Sequence, residues 1–378
     1  MKSPAAMVDL ARILEECWRL ADLGRSHVEP NPRVGAVALA GDEVVGRGYH
    51  AFYGGPHAEV AALEDAAQRG RRPDGMVISL EPCSTQGKTP PCVEAIVRAG
   101  IRRVVVGAVD PNPVHRGRGL ARLRDAGVRV ELLEGDQRFA AQNRPFLAAL
   151  DRPRPWVVGK WAMTLDGRMA LSTGDSKWVS SEPSRLRVHD LRGRCEGVAV
   201  GVRTVLADDP LLTCRTKLTL QKPPARIVFD SELRTPVTAQ LLRLPEAPVW
   251  ILTAPGALPE RRHALERAGA QILEIPADGQ TGRVNLATAL ALLGSRGVRR
   301  LLVEGGPELL GALRERGLLD QVLVFLAPKI AGGAVPAGSP AGPPEAPIMA
   351  AAPVLREVSV ERIEDDVVVS GFLGIDAP

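Results

Sequence analysis

Apolar residues follow two alternating patterns along the chain: short continuous runs, and longer segments in which they recur every three to four positions. The short runs, bounded by turn residues, predict buried strands, and the wider spacing predicts amphipathic helices. In the first 150 residues we predict an opening helix from Met7 to Leu23 and a hairpin of Val34 to Leu39 with Val44 to Tyr49. Helices then alternate with strands, which indicates a layered α/β domain. The further strands predicted are 76–80, 104–109 and 128–133, and the further helices are 56–69, 91–99, 120–126 and 140–150.

A segment rich in proline and charge interrupts this pattern at residues 151–155 (DRPRP). Such a segment breaks regular structure, so we predict one domain over residues 1–150 and a second over residues 151–378. The second domain repeats the alternation of strands and helices, and residues 332–347, rich in Gly, Pro and Ala, are predicted to form a loop. Its predicted strands are 156–161, 197–202, 225–229, 249–252, 301–303, 322–326 and 367–372, and its predicted helices are 183–192, 258–268, 285–293 and 308–316.

Composition narrows the class of protein. The 378 residues are 45% hydrophobic and 24% charged, so each domain can bury a full core. Five cysteines, an odd number spread thinly, argue against a disulfide framework and favour a reducing, cytoplasmic compartment. The sequence shows neither a signal-peptide pattern nor an apolar run long enough to span a bilayer, so we expect no membrane partner. The formal charge of +4 permits phosphorylated ligands but does not mark a nucleic-acid binder.

Three residues in the first domain have the chemistry of a catalytic zinc site. His57 stands at the start of a predicted helix, Cys83 follows a predicted strand, and Cys92 starts the next helix. One imidazole and two thiolates leave the fourth position of zinc open for water, and bound zinc lowers the pKa of that water from about 15.7 toward about 7. Glu59, two residues after His57, can take the water's proton and pass it to a leaving amine. The alternative is that the two cysteines are ordinary small hydrophobic residues.

The spacing of these residues departs from a known signature. Zinc deaminases carry H-x-E followed by P-C-x-x-C, with two residues between the cysteines. This chain has His57-Ala58-Glu59, but eight residues separate Cys83 from Cys92. A purely structural zinc is disfavoured, since the sequence places no fourth Cys or His near these three.

The longer insertion indicates a particular family. Residues 82–92 (PCSTQGKTPPC), together with 31–35 (NPRVG), 48–50 (GYH) and 110–113 (DPNP), resemble in the same order the bifunctional deaminase–reductase of riboflavin biosynthesis. The resemblance implies a cytidine-deaminase-like three-layer fold for the N-terminal domain and zinc-dependent removal of an exocyclic amine from a phosphoribosylated diaminopyrimidinone. One departure is Thr85, where family members often carry His. The substrate-binding residues implied are Asn31, His50, Lys88, Asp110 and Asn112.

The second half carries further motifs of the same family, at residues 160–168 (KWAMTLDGR), 204–210 (TVLADDP), 303–307 (VEGGP) and 328–329 (PK). They imply a dihydrofolate-reductase-like α/β domain that uses NADPH to reduce the ribosyl side chain to ribityl. The sequence has no G-x-G-x-x-G after a strand, which argues against a Rossmann domain. The NADPH contacts implied are Ala162, Trp178, Thr204, Asp208, Ser231 and Gly306. The substrate contacts implied are Ser176, Arg192, Leu212, Arg215 and Glu304.

Two other functions remain open at this point. A nucleic-acid-editing zinc deaminase with an accessory domain would use a related fold on a different substrate, but the long reductase-like half and the mild charge count against it. A non-catalytic binding or scaffolding protein would retain a dead site, which the presence of all four residues of the zinc and proton-transfer set disfavours. We therefore expect a small phosphorylated pyrimidine as substrate, no nucleic acid, and a homo-oligomer, dimer or tetramer, as the family implies.

Overall fold

The computed structural model describes residues 9–25, 27–87, 89–133, 136–150, 152–171, 173–215, 223–304, 306–332 and 352–374. The chain divides into two compact units, residues 1–151 and residues 152–377. Among the described residues, no helix combines the length and the apolarity needed to cross a bilayer.

The first unit is built on a sheet with the strand order β2-β1-β3-β4-β5. Strand β1 pairs antiparallel with β2 and β3, and β3, β4 and β5 run parallel. This arrangement confirms the predicted hairpin. The strands are β1 (Gly35–Ala40), β2 (Glu43–Tyr49), β3 (Gly75–Ile78), β4 (Arg103–Val106) and β5 (Arg129–Leu132), and the helices are α1 (Leu10–Asp22), α2 (Ala58–Gln68), α3 (Cys92–Arg98), α4 (Arg118–Asp125), α5 (Asp136–Gln142) and α6 (Arg144–Leu150).

Helices cover both faces of this sheet, because alternate strand residues point to opposite sides. Val37 and Val77 pack with Trp18 of α1 on one face. Ala36 and Ile78 belong to a second core on the other face, which α2, α3 and α4 complete. The result is a layered helix–sheet–helix unit, and the carboxyl end of β3 leads directly to the segment that carries Cys83.

The predicted helix 140–150 is wrong in one respect, because the structure has two helices with Asn143 between them. The Asn143 side chain accepts from the Arg33 N–H at 2.6 Å and donates to the Arg33 carbonyl at 3.3 Å. Pro145 follows in the first turn of α6, a position where its missing N–H costs nothing. A long-range contact therefore sets the break, which helical periodicity alone does not reveal.

The second unit has a larger sheet with the order β10-β9-β8-β7-β11-β6-β12-β14-β13. The first seven strands in this order, which end with β12, run parallel to one another. Strands β14 and β13 then add two antiparallel strands at one edge. The strands are β6 (Trp156–Thr164), β7 (Gly197–Gly201), β8 (Ala225–Phe229), β9 (Val249–Thr253), β10 (Ala270–Glu274), β11 (Arg300–Glu304), β12 (Gln321–Ala327), β13 (Arg356–Ile363) and β14 (Asp366–Phe372). The helices are α7 (Glu182–Gly193), α8 (Val202–Asp208), α9 (Pro259–Arg267), α10 (Leu286–Ser295) and α11 (Pro307–Glu315), with a 3₁₀ turn at Gln240–Leu242.

Two apolar cores lie on the two faces of this sheet, as the buried parallel strands require. The structure adds α8, β10 and β13 to the predicted elements. The strand predicted to end at Val202 ends at Gly201, because Val202 begins α8. Beyond Gly332, the predicted loop 332–347 lies outside the described residues.

Candidate active sites

A cluster of three donor atoms lies in the first unit, where the helix N-termini of α2 and α3 meet the segment after β3. His57 is the N-cap residue of α2, and Cys92 is the first residue of α3. The His57 Nδ1 lies 3.5 Å from the Cys83 Sγ and 3.3 Å from the Cys92 Sγ, and all three atoms lie within 4.8 Å of one another. The structure thus brings the three predicted metal ligands together.

The two thiols share one proton: the hydrogen bond with Cys83, together with burial, raises the pKa of Cys92, whereas Cys83 is the thiolate of the pair and suits a metal such as zinc. A hydrogen bond from Cys92, helped by the contact with His57, lowers the pKa of Cys83 well below that of an ordinary thiol. The Cys92 backbone N–H also donates to the Cys83 Sγ at 3.3 Å. A thiolate beside an imidazole nitrogen and a second sulfur is the donor set that zinc takes in catalytic sites with three protein ligands.

Glu59 lies on the first turn of α2 and is 3% exposed. Burial raises its pKa to about 7, although the nearby His57 opposes the shift. A carboxyl group with this pKa can both accept and release a proton near neutral pH. Its role as the proton shuttle stays a prediction.

Asn31 and His50 form a chain of contacts that ends at the donor cluster. The His50 Nδ1 lies 2.9 Å from the Pro56 carbonyl, which can only accept, so this nitrogen carries the proton. The opposite nitrogen of the ring, Nε2, therefore accepts from the Asn31 amide at 3.3 Å. Burial lowers the pKa of His50 to about 4, and its ring lies 5.0 Å from that of His57. His50 thus lies beside His57, and Asn31 lies beside His50.

Two further predicted substrate residues of this unit, Asp110 and Asn112, lie in a loop that leads into α4. The Asp110 carboxylate accepts from the Asn112 N–H at 2.9 Å, and burial raises the Asp110 pKa. The Thr85 hydroxyl lies 3.5 Å from the Nδ1 of His115, which belongs to the same loop as Asp110. An imidazole is therefore present next to position 85, where family members often carry His. Lys88, also predicted to bind substrate, lies outside the described residues.

In the second unit, three predicted NADPH contacts meet in one cavity. Thr204, Ser231 and Gly306 lie among the residues lining a space of about 620 Å³ at the carboxyl ends of β7, β8 and β11. Gly306 caps the N-terminus of α11 with φ +56°, and a Cβ there would lie 3.0 Å from the Thr204 hydroxyl oxygen. Bare backbone at a helix N-terminus suits a diphosphate, so these residues fit the cofactor.

Two more predicted residues, Ser176 and Trp178, line a second cavity of about 390 Å³. Trp178 is 63% exposed, which excludes a core role for its ring. The Arg185 guanidinium lies 4.5 Å from the ring centre, and the Lys329 ammonium donates to the Trp178 carbonyl at 2.6 Å. The predicted PK motif therefore fixes the backbone that presents Trp178.

Arg192 and Glu304, both predicted to bind substrate, form a bidentate ion pair. The guanidinium donates to the carboxylate at 2.5 and 2.9 Å, and it also donates to the Thr213 carbonyl at 2.8 Å. The structure adds Lys160, the residue opposite Glu304 in the pairing of β6 with β11. Burial lowers the pKa of Lys160. Burial alone would raise the pKa of Glu304, but the positive charges of Arg192 and Lys160 hold that pKa below its usual value. The sequence held the signal for Lys160, since a charge inside an apolar strand needs a buried partner.

Arg192, Glu304 and four further predicted contacts are not among the described residues that line either cavity. Of these four, Ala162 lies within β6 and Asp208 ends α8. Leu212 is buried with φ +52°, and Arg215 is exposed with its Nε 3.5 Å from the Thr213 hydroxyl. Their roles stay predictions.

Two family models match the chain. The RibD C-terminal domain covers residues 155–369, and the cytidine and deoxycytidylate deaminase zinc-binding region covers residues 7–108. The match to the zinc-binding region includes His57, Glu59, Cys83 and Cys92.

Relatives with similar sequences extend over most of the chain. Riboflavin biosynthesis protein RibD of Aquifex aeolicus is 41% identical over 313 residues, which is 83% of this chain and 85% of the relative. The protein of the same name from Escherichia coli is 36% identical over 329 residues, 83% of this chain and 86% of the relative.

Solved structures agree with these matches. RibD of Acinetobacter baumannii superposes with a TM-score of 0.69 at 31% identity and covers 96% of this chain and 98% of its own. A Thermotoga maritima protein, described as a diaminohydroxyphosphoribosylaminopyrimidine deaminase/5-amino-6-(5-phosphoribosylamino)uracil reductase, gives a TM-score of 0.65 at 30% identity with the same coverage.

Proposed function

Because the chain belongs to the RibD family of bifunctional riboflavin-biosynthesis enzymes, we propose that its two candidate sites act in turn on one phosphorylated pyrimidine. Membership makes the chain a deaminase and a reductase, with zinc and NADPH as cofactors. It also confirms the predicted folds, cytidine-deaminase-like for the first domain and dihydrofolate-reductase-like for the second. A nucleic-acid-editing deaminase is not favoured.

For the deaminase, the observation that carries the proposal is the cluster of His57, Cys83 and Cys92 beside buried Glu59. These three residues would hold zinc, which supplies a Lewis acid that acidifies water. Water adds to the ring carbon that bears the exocyclic amine, and Glu59 takes one of its protons. Glu59 then returns the proton to the amine nitrogen, the carbon–nitrogen bond breaks and ammonia leaves.

Recognition of the substrate in this site falls to residues that can hold a flat polar ring. The neutral His50 holds the Asn31 amide in place through its Nε2, and the carbonyl oxygen of that amide suits a donor on the edge of a pyrimidinone. Asp110 and Asn112 approach from the loop that leads into α4. The substrate we propose is that named for the Thermotoga maritima relative, a diaminohydroxyphosphoribosylaminopyrimidine.

For the reductase, we assign the cofactor to the cavity of Thr204, Ser231 and Gly306. NADPH supplies the hydride that converts the ribosyl group of the deaminated product into a ribityl chain. Since hydride transfer needs two carbons held in line, the protein's part is positioning. Arg192 and Glu304 hold one another through a bidentate ion pair, with Lys160 opposite Glu304 on the neighbouring strand. Ser176 and Trp178 line the smaller cavity.

The assembly and the compartment are also proposals. We propose a homo-oligomer, dimer or tetramer, and a small-molecule substrate without a nucleic-acid partner, as the family implies. A cytoplasmic location suits the chemistry, because the thiolate ligands Cys83 and Cys92 need a reducing compartment.

Mass spectrometry of the reaction with and without NADPH tests both activities and their order. Without NADPH, the zinc-loaded enzyme should exchange one amine for oxygen and release ammonia in equal amount. With NADPH, the product should gain two further hydrogens. Release of no ammonia would contradict the deaminase proposal, and reduction of the undeaminated compound would contradict the order.

A further inference from the structure

The Glu81 carboxylate joins the segment that carries Cys83 to the loop that carries Asp110 and Asn112. Glu81 is 4% exposed and lies two residues before Cys83. One carboxylate oxygen accepts the N–H groups of Asp110 and Gly117 at 3.1 and 2.9 Å. The other oxygen accepts those of Gly119 and Leu120 at 2.8 and 3.4 Å. Four backbone donors, three of them in buried hydrogen bonds, therefore converge on one side chain.

Further contacts tie the same two segments together. The Glu81 N–H donates to the Ala108 carbonyl at 2.9 Å. A Cβ on Gly119 would lie 2.0 Å from the Pro82 carbonyl oxygen, so the start of α4 packs directly on the backbone next to Cys83. Arg122, one turn along α4, donates to the Ser84 carbonyl. The loop and α4 thus have little freedom to move relative to the metal-ligand segment.

We propose that Glu81 is a positioning residue of the deaminase, which fixes the substrate loop 110–120 at a set distance from the zinc ligands. This rests on the proposed function, since it takes Asp110 and Asn112 as substrate contacts. Glu81 itself touches neither the three donor atoms nor Glu59 through any described hydrogen bond. Its loss should therefore weaken substrate binding more than it slows the chemical step.

A Glu81→Gln variant tests this sharply, because the amide keeps the size of the side chain and changes its hydrogen bonding. One oxygen becomes an NH₂ group that faces two N–H donors, so two of the four bonds are lost. We expect KM for deamination to rise about ten- to a hundredfold, as when buried donors lose their acceptors, with kcat changed by less than about threefold. Zinc content and reductase activity on the deaminated substrate should match those of the wild type.

Two variants complete the test. Glu94→Gln makes the same change at an exposed position on α3, beside Cys92, and should leave KM unaltered. Glu81→Asp keeps both acceptor oxygens on a shorter side chain, and its KM should lie between those of wild type and Glu81→Gln. Loss of zinc, a fall in kcat at unchanged KM, or an aspartate variant no better than the glutamine variant would overturn the proposal. Failure of the wild type to release ammonia would instead contradict the proposed function.

Discussion

In the first unit, the reactive atoms lie on side chains that come within 4.8 Å of one another, and all of them fall between residues 57 and 92. In the second unit, the cavity proposed for the cofactor is lined by Thr204, Ser231 and Gly306, which follow three separate strands. One site is a compact set of donor atoms, whereas the other is a surface formed by strand ends and a helix N-terminus.

The difference follows from the chemistry required. Removal of an amine needs a metal and a proton carrier at fixed distances, so particular side chains are irreplaceable. Hydride transfer uses a cofactor that already holds the reactive group, so the protein supplies shape and charge. Single substitutions should therefore damage the first site more severely than the second. Variants at both sites can test this difference.

The largest effect is expected from Glu59→Gln, which leaves the fold and the three donor atoms intact but removes the proton carrier. We expect ammonia release to fall by about 10³-fold with zinc content and reductase activity unchanged. Ammonia assays on the zinc-loaded protein measure this. The control is Glu64→Gln, an exposed position on the same helix α2. A Glu59→Gln enzyme as active as its parent would remove the contrast between the two sites.

The next effect concerns the buried charges of the second unit. Glu304→Gln leaves the cations of Arg192 and Lys160 without their shared anion, which should cost about 3–5 kcal/mol of unfolding free energy. Lys160→Met keeps the bidentate Arg192–Glu304 pair and should cost about 1 kcal/mol or less. Calorimetric unfolding of both variants measures the difference. Equal destabilisation would show that Glu304 is not the common counter-charge, and the deaminase should keep its activity in both.

The smallest effect is expected at Gly306, where backbone shape matters more than a reactive group. Gly306→Ala adds a Cβ 3.0 Å from the Thr204 hydroxyl at a φ of +56°, so we expect NADPH binding to weaken about tenfold. Gly317→Ala carries the same backbone strain, at φ +62°, into open space and should leave binding unaltered. Fluorescence titration with NADPH compares the two. Equal affinities would place the cofactor elsewhere.

The sequence predicted the first site more fully than the second, for a physical reason. A metal site needs specific residue types at short spacing, so His57, Glu59, Cys83 and Cys92 can be identified from the chain alone. A cavity at strand ends depends on the order of strands in the sheet, which periodicity does not give. The ion pair of Arg192 with Glu304 joins residues far apart in sequence and could not be read from spacing.

Strand β13 and the predicted helix 140–150 are among the elements that were not predicted correctly. Most strands and helices were predicted within a few residues, because their apolar periodicity is strong. Strand β13 was missed although the alternation of Val358 and Val360 with polar residues is typical of a strand. Both valines are exposed in the structure, where β13 is an edge strand. The break at Asn143 has a local signal, since an asparagine shortly before a proline, here Pro145, is typical of a helix start, and its bonds to Arg33 add a contact that the local sequence does not encode.

The strand order of the second unit has a consequence for how the chain folds while it is being synthesised. Its first strand, β6, lies between β11 and β12, so Trp156 pairs with Arg300 and Val158 with Gln321. Contacts between such distant positions slow folding, whereas the sheet of the first unit pairs strands that follow one another closely. On the ribosome, the deaminase half can therefore fold before β11 and β12, the two strands that pair with β6, have been synthesised. During that interval β6 has two unpaired edges, which exposes the reductase half to aggregation before it can bind NADPH.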